Sequence, residues 1–228
     1  MTKQCAGLAC NVRFAGFQQL LIAALCAVAF AGLSPQGSRA QSCSGSPSYS
    51  PDFSSNQGCL QLNSGPNGGA SFEPGASSTT LLQLTRAATN QVGSAWYITP
   101  QPVANSFSTT FTFQLTGGSA DGFAFVIQSS PSGTSYVGYD MAGCALGYAG
   151  DPLDVCGTTS SGVTNSVAVG FKTYNDGTNY PSANSVFIAS NGTGQNCENV
   201  APANDVCVKA QNDLTSPSIT LANGSLNQ

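Results

Sequence analysis

The sequence contains no histidine among its 228 residues, and charged residues make up only 7% of them. A Ser-His-Asp catalytic triad is therefore excluded. A structural zinc site is not indicated either, because the chain also has no Cys-x-x-Cys pair. Its six lysines and arginines form no cluster, so the sequence gives no sign of nucleic-acid binding.

The first forty residues predict a secretory signal peptide. They contain Lys3 and Arg13, then an uncharged apolar run over residues 20–33, and they end in small residues up to Ala40. The run is short for a membrane span, and no stop-transfer charges follow it. Cleavage would leave residues 41–228 as a secreted, extracellular chain without a membrane anchor. Its three cations against ten acids give a formal charge of −7.

The cysteines that remain after this cleavage predict disulfides. The chain has nine cysteines, and six of them lie beyond residue 40. An even number of cysteines in an exported chain is typical of a disulfide framework, although six cysteines allow 15 pairings. Our preferred pairing joins sequence neighbours: Cys43 with Cys59, Cys144 with Cys156, and Cys197 with Cys207.

Residues 106–125 give the strongest secondary-structure signal. From 107 to 115, aromatic and β-branched residues alternate with polar ones, which is typical of a strand with one buried face. Glycines near residues 116–119 indicate a turn. Residues 122–127 are apolar on both faces and predict a central strand. We therefore expect a hairpin, with Asp121 where its second strand begins.

The rest of the chain predicts an all-β fold. Residues 41–78 are rich in Ser, Gly, Pro and Asn, and they predict a looped, disulfide-pinned lead-in. No segment shows a sustained helical period. Short strands between Gly- and Pro-rich turns are typical of a two-sheet antiparallel sandwich over residues 79–228. Further strands are predicted at residues 79–85, 94–99, 165–174 and 185–190, with a last apolar run at 219–221.

Two motifs resemble the legume-type (L-type) lectin domain. They are the Phe-Ser-Thr-Thr-Phe-Thr-Phe of residues 107–113 and the Ala-Asp-Gly-Phe-Ala-Phe of residues 120–125. The resemblance implies a concanavalin-like jelly roll and a secreted, non-catalytic module that binds glycans or polysaccharides. Because members of that family continue through several more strands, it also implies a sandwich that is incomplete at the C-terminus. An unpaired edge and exposed apolar side chains are then expected there.

The resemblance also implies a sugar site built from three loops. In the family, the aspartate of the Ala-Asp-Gly turn binds sugar hydroxyls, and a Gly-Gly-x-Leu-Gly loop, similar to residues 143–147 here, donates a backbone N–H. A carboxylate accepts hydroxyl hydrogen bonds, and an aromatic ring covers the apolar face of a sugar. The candidate carbohydrate-binding residues are Asp121, Gly143, Cys144, Tyr174, Asn175 and Asp176.

The metal positions of that family are not kept. Its Val-Glu-Phe-Asp-Thr strand uses two acids to hold manganese and calcium, and the matching positions here are Gly170 and Lys172. Manganese is therefore not expected, and the family's histidine ligand cannot exist in this chain. Calcium stays open, because Asp176 falls where the family has its bridging asparagine. Alternatively, Lys172 replaces the metal's charge by pairing with Asp121 or Asp176.

Two other functions compete with sugar binding. An exported glycoside hydrolase needs two carboxylates about 5–10 Å apart, and no predicted strand offers a Glu-x-Asp pair. A structural or adhesion sandwich that has lost its sugar site is the stronger rival, because the metal positions have changed. In that case Asp121 is an ordinary turn residue and Tyr174 belongs to the strand packing.

Overall fold

The computed structural model describes ten segments of the chain, and for the first of them only the backbone. Their strands are β1 (Gly7–Arg13), β2 (Leu60–Gly65), β3 (Gly68–Gly69), β4 (Ser71–Pro74), β5 (Thr80–Thr85), β6 (Gly93–Tyr97), β7 (Thr110–Thr116), β8 (Gly122–Gln128), β9 (Ser166–Lys172), β10 (Ser185–Ser190), β11 (Val208–Asp213) and β12 (Leu226–Asn227). Short 3₁₀ turns lie at Gln57–Cys59, Ala76–Ser78 and Gly133–Ser135. The described segments are 7–13, 43–49, 52–104, 106–116, 120–138, 145–150, 161–175, 181–197, 207–215 and 219–227.

The strands form three antiparallel sheets. The five-stranded sheet has the order β12-β7-β1-β5-β4, and the four-stranded sheet has the order β11-β10-β9-β8. A smaller sheet has the order β3-β2-β6. This architecture confirms the predicted all-β antiparallel sandwich of the concanavalin-like type, although the small third sheet was not predicted.

Phenylalanine rings join the two larger sheets. The ring of Phe113 on β7 lies 4.7 Å, centroid to centroid, from the ring of Phe123 on β8. Phe123 in turn stacks on Phe171 of β9 at 4.6 Å, and Phe111 stacks on Phe125 at 5.7 Å. The rings on β7 are two positions apart, and so are those on β8. Since alternate side chains of a strand point to the same face, one face of each sheet contributes the whole cluster. Contacts of this kind add to the free energy gained by burying the rings.

The predicted hairpin of β7 and β8 is wrong. β7 pairs with β1 and β12, whereas β8 pairs with β9 in the other sheet. The two strands instead face each other across the sandwich, with the rings of Phe111 and Phe113 against those of Phe123 and Phe125. β8 is also not central among the described residues, since β9 is its one neighbour there.

The second face of the four-stranded sheet is covered by a loop. Ala145, Tyr148 and Ala149 are buried against Ala168 of β9 and Phe187 of β10. Side chains on the even positions of β8 pack against the same cluster. The apolar character of both faces of β8 thus reflects coverage of both faces of its sheet, and it does not require a central place in that sheet.

Some observations bear on the expected incomplete C-terminus. The outer edge of β8 has no partner strand within the described segments. Ile219, near the end of the chain, is 45% exposed, and Val167 and Ile188 are also exposed. Residues 219–221 lie in a coil and a turn rather than a strand. That further strands complete the sandwich stays a prediction.

The N-terminal part of the chain differs from its looped prediction. β2 and β4 lie inside the segment 41–78. β2 belongs to the smaller sheet and β4 to the five-stranded sheet. They contribute Leu60, Leu62 and Phe72 to a cluster around Tyr49 and Phe53. β1 lies within the predicted signal peptide and pairs with β5 and β7. Cleavage of residues 1–40 stays a prediction.

Two of the three predicted disulfides are confirmed. Cys43 bonds Cys59, and Cys197 bonds Cys207. The first holds the lead-in against β6, where the backbone oxygen of Cys43 accepts a hydrogen bond from the Tyr97 hydroxyl at 3.2 Å. The third predicted pair, Cys144 with Cys156, lies outside the described residues. In the described segments, no helix has the length and apolar character needed to cross a membrane.

Candidate functional site

Asp121 lies at the point where the chain enters β8. It follows a cis Ala120–Asp121 peptide bond, and it is only 3% exposed. Its backbone oxygen accepts a hydrogen bond from the N–H of Thr173 at 3.0 Å. Because Thr173 directly follows β9, this bond brings the start of β8 and the end of β9 to the same place.

The glycine after this aspartate is required by the backbone. Gly122 has a φ of 131°, in the region that favours glycine. A Cβ atom at this position would lie 2.0 Å from the backbone oxygen of Phe171, far inside van der Waals contact. Glycine at this position is therefore needed to pair β8 with β9, whatever the carboxylate does.

Tyr174 and Asn175 lie at the same end of the sheet as Asp121. Tyr174 is half-buried and Asn175 is exposed. Both follow Thr173, whose N–H binds the backbone of Asp121. The structure thus brings together three of the six predicted sugar-binding residues. The role of these residues in binding stays a prediction, and Asp176 lies outside the described residues.

The described part of the glycine-rich loop packs on one face of the four-stranded sheet, nearer the start of β9 than the Asp121 end. Gly143 and Cys144 lie outside the described residues, but residues 145–150 turn back through Leu146 and Gly147, both with positive φ. The oxygen of Gly147 accepts a hydrogen bond from the N–H of Gly138 at 2.8 Å. The loop packs on the face formed by Ala124, Ala168 and Phe187. By strand alternation, this is also the face of Gly170 and Lys172.

Lys172 is fully buried at the end of β9. It pairs in register with Gly122 of β8 on one side and with Ser185 of β10 on the other. Ser185 is also fully buried, and it pairs with Asp213 of β11. A charged ammonium group in this position needs an opposite charge or several hydrogen-bond acceptors nearby.

The residues present do not fit the metals of the legume lectin pattern. A Cβ atom on Gly170 would lie 2.0 Å from Cζ of Phe187, so the ring occupies the space of the first acidic ligand. Lys172 puts a cation where the second acid would be, and it would repel a divalent ion. The described residues contain no group of three or more potential metal ligands. Asp176 lies outside the described residues, so calcium binding by it stays a prediction.

Some contributing residues carried no functional signal in the sequence. Thr173 contributes its backbone N–H, and Ser185 is a fully buried neighbour of Lys172. In the sequence, both resemble ordinary polar residues of a strand. The Thr173 hydroxyl is buried with no hydrogen-bond partner among the described residues. Phe187 was predicted only as part of a strand. Its alignment with Gly170, which lets the ring replace a side chain, depends on the register between two strands.

A small cavity lies at another part of the molecule. It has a volume of about 60 Å³ and is lined by the Cys43–Cys59 disulfide, Tyr49 and Tyr97, so it can hold a few water molecules. Burial, together with the nearby Tyr97, raises the pKa of the Tyr49 hydroxyl above its ordinary range. No residue of the Asp121 end lines this cavity.

Comparison with known proteins decides the family. A sequence model of the legume lectin domain matches residues 53–220, well over half of the chain. The chain belongs to the legume lectin domain family. The matched region includes Asp121 and Tyr174, and it begins inside the segment that was predicted to be a looped lead-in. No curated protein and no solved structure gives a significant match to the chain.

Membership of the legume lectin family indicates a carbohydrate-binding, lectin-like module. The family is generally non-catalytic. The two described disulfides are compatible with an extracellular location.

Proposed function

We propose that this legume lectin domain is secreted and binds neutral sugars at the end of the four-stranded sheet where Asp121 and Tyr174 meet. The observation that carries the proposal is the hydrogen bond from the Thr173 N–H to the Asp121 backbone oxygen. It holds the backbone of Asp121 beside that of Thr173, the residue that directly precedes Tyr174. We propose no catalytic activity.

The proposed roles follow from the chemistry of each group. The Asp121 carboxylate accepts hydrogen bonds from two sugar hydroxyls, and hydrogen bonds to a charged group contribute about 1.5–3 kcal/mol each. The ring of Tyr174, which is half-buried, covers an apolar sugar face. The exposed amide of Asn175 can both donate and accept. Gly143, Cys144 and Asp176 complete the proposed site from the two adjoining loops.

A glycan array on the secreted protein tests the proposal. Asp121→Asn keeps the shape of the side chain and removes its charge, so we expect about a tenfold or greater loss of affinity for any glycan bound. Glu73→Gln is the matched control, because that carboxylate accepts a hydrogen bond from the Ser71 hydroxyl at a different sheet. Equal binding by both variants would contradict the proposed site.

A structural or adhesion sandwich is the second candidate. The observation in its favour is the burial of Asp121, since a buried carboxylate can serve the fold alone. If the folded wild-type protein binds no glycan on the array, this second function is supported and the sugar site is rejected. Tyr174→Ala separates the two further: it weakens binding only if the ring contacts a sugar.

A further inference from the structure

The end of β9 holds a buried cation where the legume lectin family places metal ligands. Lys172 and Ser185 are fully buried, and Asp121 is nearly so. The side chain of Lys172 lies on the loop-covered face of the sheet, in register with Gly122. Burying an ammonium group alone is strongly unfavourable, so a buried lysine requires a compensating partner.

Asp121 is well placed to be that partner. It directly precedes Gly122, whose backbone lies one strand spacing, roughly 5 Å, from that of Lys172, and its backbone oxygen bonds the N–H of Thr173, the residue after Lys172. Asp213 is two strands away, about 10 Å. Its carboxylate already accepts hydrogen bonds from Ser182 and Thr215. The other acids among the described residues, Asp52 and Glu73, lie by the five-stranded sheet.

The position of the family's other acidic metal ligand, residue 170, is occupied by an aromatic ring. The Phe187 ring lies directly over Gly170, within 2.0 Å of where a Cβ atom would stand. An acidic side chain at residue 170 therefore has no room unless the ring moves. Both changes argue against a bound metal: position 170 is covered by an aromatic ring, and position 172 carries a positive charge.

We propose that the Asp121 turn of this chain is held without a divalent metal, because the Lys172 ammonium pairs with the Asp121 carboxylate and supplies the positive charge itself. Lys172 is thus a positioning residue for Asp121. This proposal concerns the stability of the turn, and it does not depend on whether the site binds a sugar.

The first test measures the thermal unfolding of the wild-type protein with EDTA, with excess calcium chloride and with excess manganese chloride. We expect the same midpoint in all three solutions. A midpoint that falls with EDTA, or rises with either metal, overturns the proposal. Since no glycan is present, the result is separate from the outcome of the glycan array.

The second test is a double-mutant cycle on the full chain. Lys172→Met removes the charge at similar size and leaves the Asp121 carboxylate buried without its counter-ion, so we expect a clear fall in the midpoint. Lys209→Met is the control, because Lys209 is exposed. The double variant Lys172→Met/Asp121→Asn removes both charges, and we expect it to melt at a higher temperature than Lys172→Met.

The single variant Asp121→Asn completes the cycle. If the double variant loses as much stability as Lys172→Met and Asp121→Asn together, the pairing is overturned, since Lys172 would then be compensated by another group such as Asp176. Lys172→Arg keeps the charge, and we expect it to melt above Lys172→Met. An arginine variant that melts no higher than the methionine variant also overturns the role of charge. If Lys172→Met does not fold, the arginine variant and the metal series still decide the question.

Discussion

The two faces of β9 differ in the kind of side chain they carry and in how far those side chains are buried. The face of Val167, Val169 and Phe171 is apolar, yet Val167 is 45% exposed and only Phe171 reaches the aromatic cluster of the sandwich. The opposite face carries Ala168, Gly170 and Lys172, and all of these residues are buried.

This difference shows that burial and hydrophobicity are separate properties of a strand. The apolar face packs against a second sheet, whose extent decides how much of it is covered. The small and charged face is covered at Ala168 by the 145–150 loop and at Gly170 by the Phe187 ring of β10. Lys172 is therefore buried because it lies on this covered face, although lysine side chains are mostly exposed in proteins.

The largest effect is expected from the aromatic face. Phe123→Ala removes a buried ring that contacts Phe113 and Phe171, and we expect it to lower the free energy of unfolding by about 3–5 kcal/mol. Phe107→Ala is the control, because that ring is 53% exposed; it should change the stability by about 0.5 kcal/mol or less. Urea unfolding measures both. Equal losses would show that the ring cluster does not hold the sheets together.

A smaller effect is expected on the loop-covered face. Gly170→Ala places a methyl group against the Phe187 ring, and overpacking of this kind costs about 1–3 kcal/mol. Val167→Ala on the same strand is the control, since its side chain is largely exposed. Adding Phe187→Leu should recover part of the loss from Gly170→Ala. A double variant whose loss equals the sum of the two single losses would contradict the close contact between residues 170 and 187.

The smallest effect concerns a buried acid that is stabilised by hydrogen-bond donors. The Asp52 carboxylate accepts hydrogen bonds from the hydroxyl and N–H of Ser54 and from the N–H of Thr80. These donors lower the pKa of Asp52 below its ordinary value. The carboxylate therefore stabilises the fold above the unfolded-state pKa, about 3.9, and this stabilisation is lost as the pH falls through the folded-state pKa.

We expect Asp52→Asn to be less stable than the wild type at neutral pH, with the difference shrinking as the pH falls below about 4. Urea unfolding at several pH values measures this difference. Ser54→Ala removes one donor and should give a weaker form of the same pH dependence. A stability difference that is independent of pH would show that the Asp52 charge is not what these donors stabilise.

Sequence patterns predicted the strands whose residues alternate clearly. The alternation over residues 107–115 and the apolar runs near residues 122–127 and 185–190 correspond to β7, β8 and β10. β11 was not predicted, because its lysine, glutamine, asparagine and aspartate give no apolar alternation. β2 carries a short signal in Leu60 and Leu62, but the surrounding serines, glycines and prolines outweighed it.

The candidate site was predictable in part. The Ala-Asp-Gly motif identified Asp121, and the chain order placed Tyr174 after a later strand. Which strands become neighbours is a property of long-range pairing, and no local pattern specifies it. The burial of Lys172 and the contact between Gly170 and Phe187 depend on that pairing, so they could not be predicted.

The sequence by itself indicated an all-β chain and the family to which it belongs, and it favoured the local disulfides Cys43–Cys59 and Cys197–Cys207, since strand alternation and cysteine spacing are properties of residues close together in the chain. Only the tertiary structure decided that β7 and β8 lie in different sheets and that Asp121, Thr173 and Lys172 lie at the same end of one sheet. The physical reason is that rings far apart in sequence are buried only when two sheets face each other. That packing fixes which strand ends lie side by side.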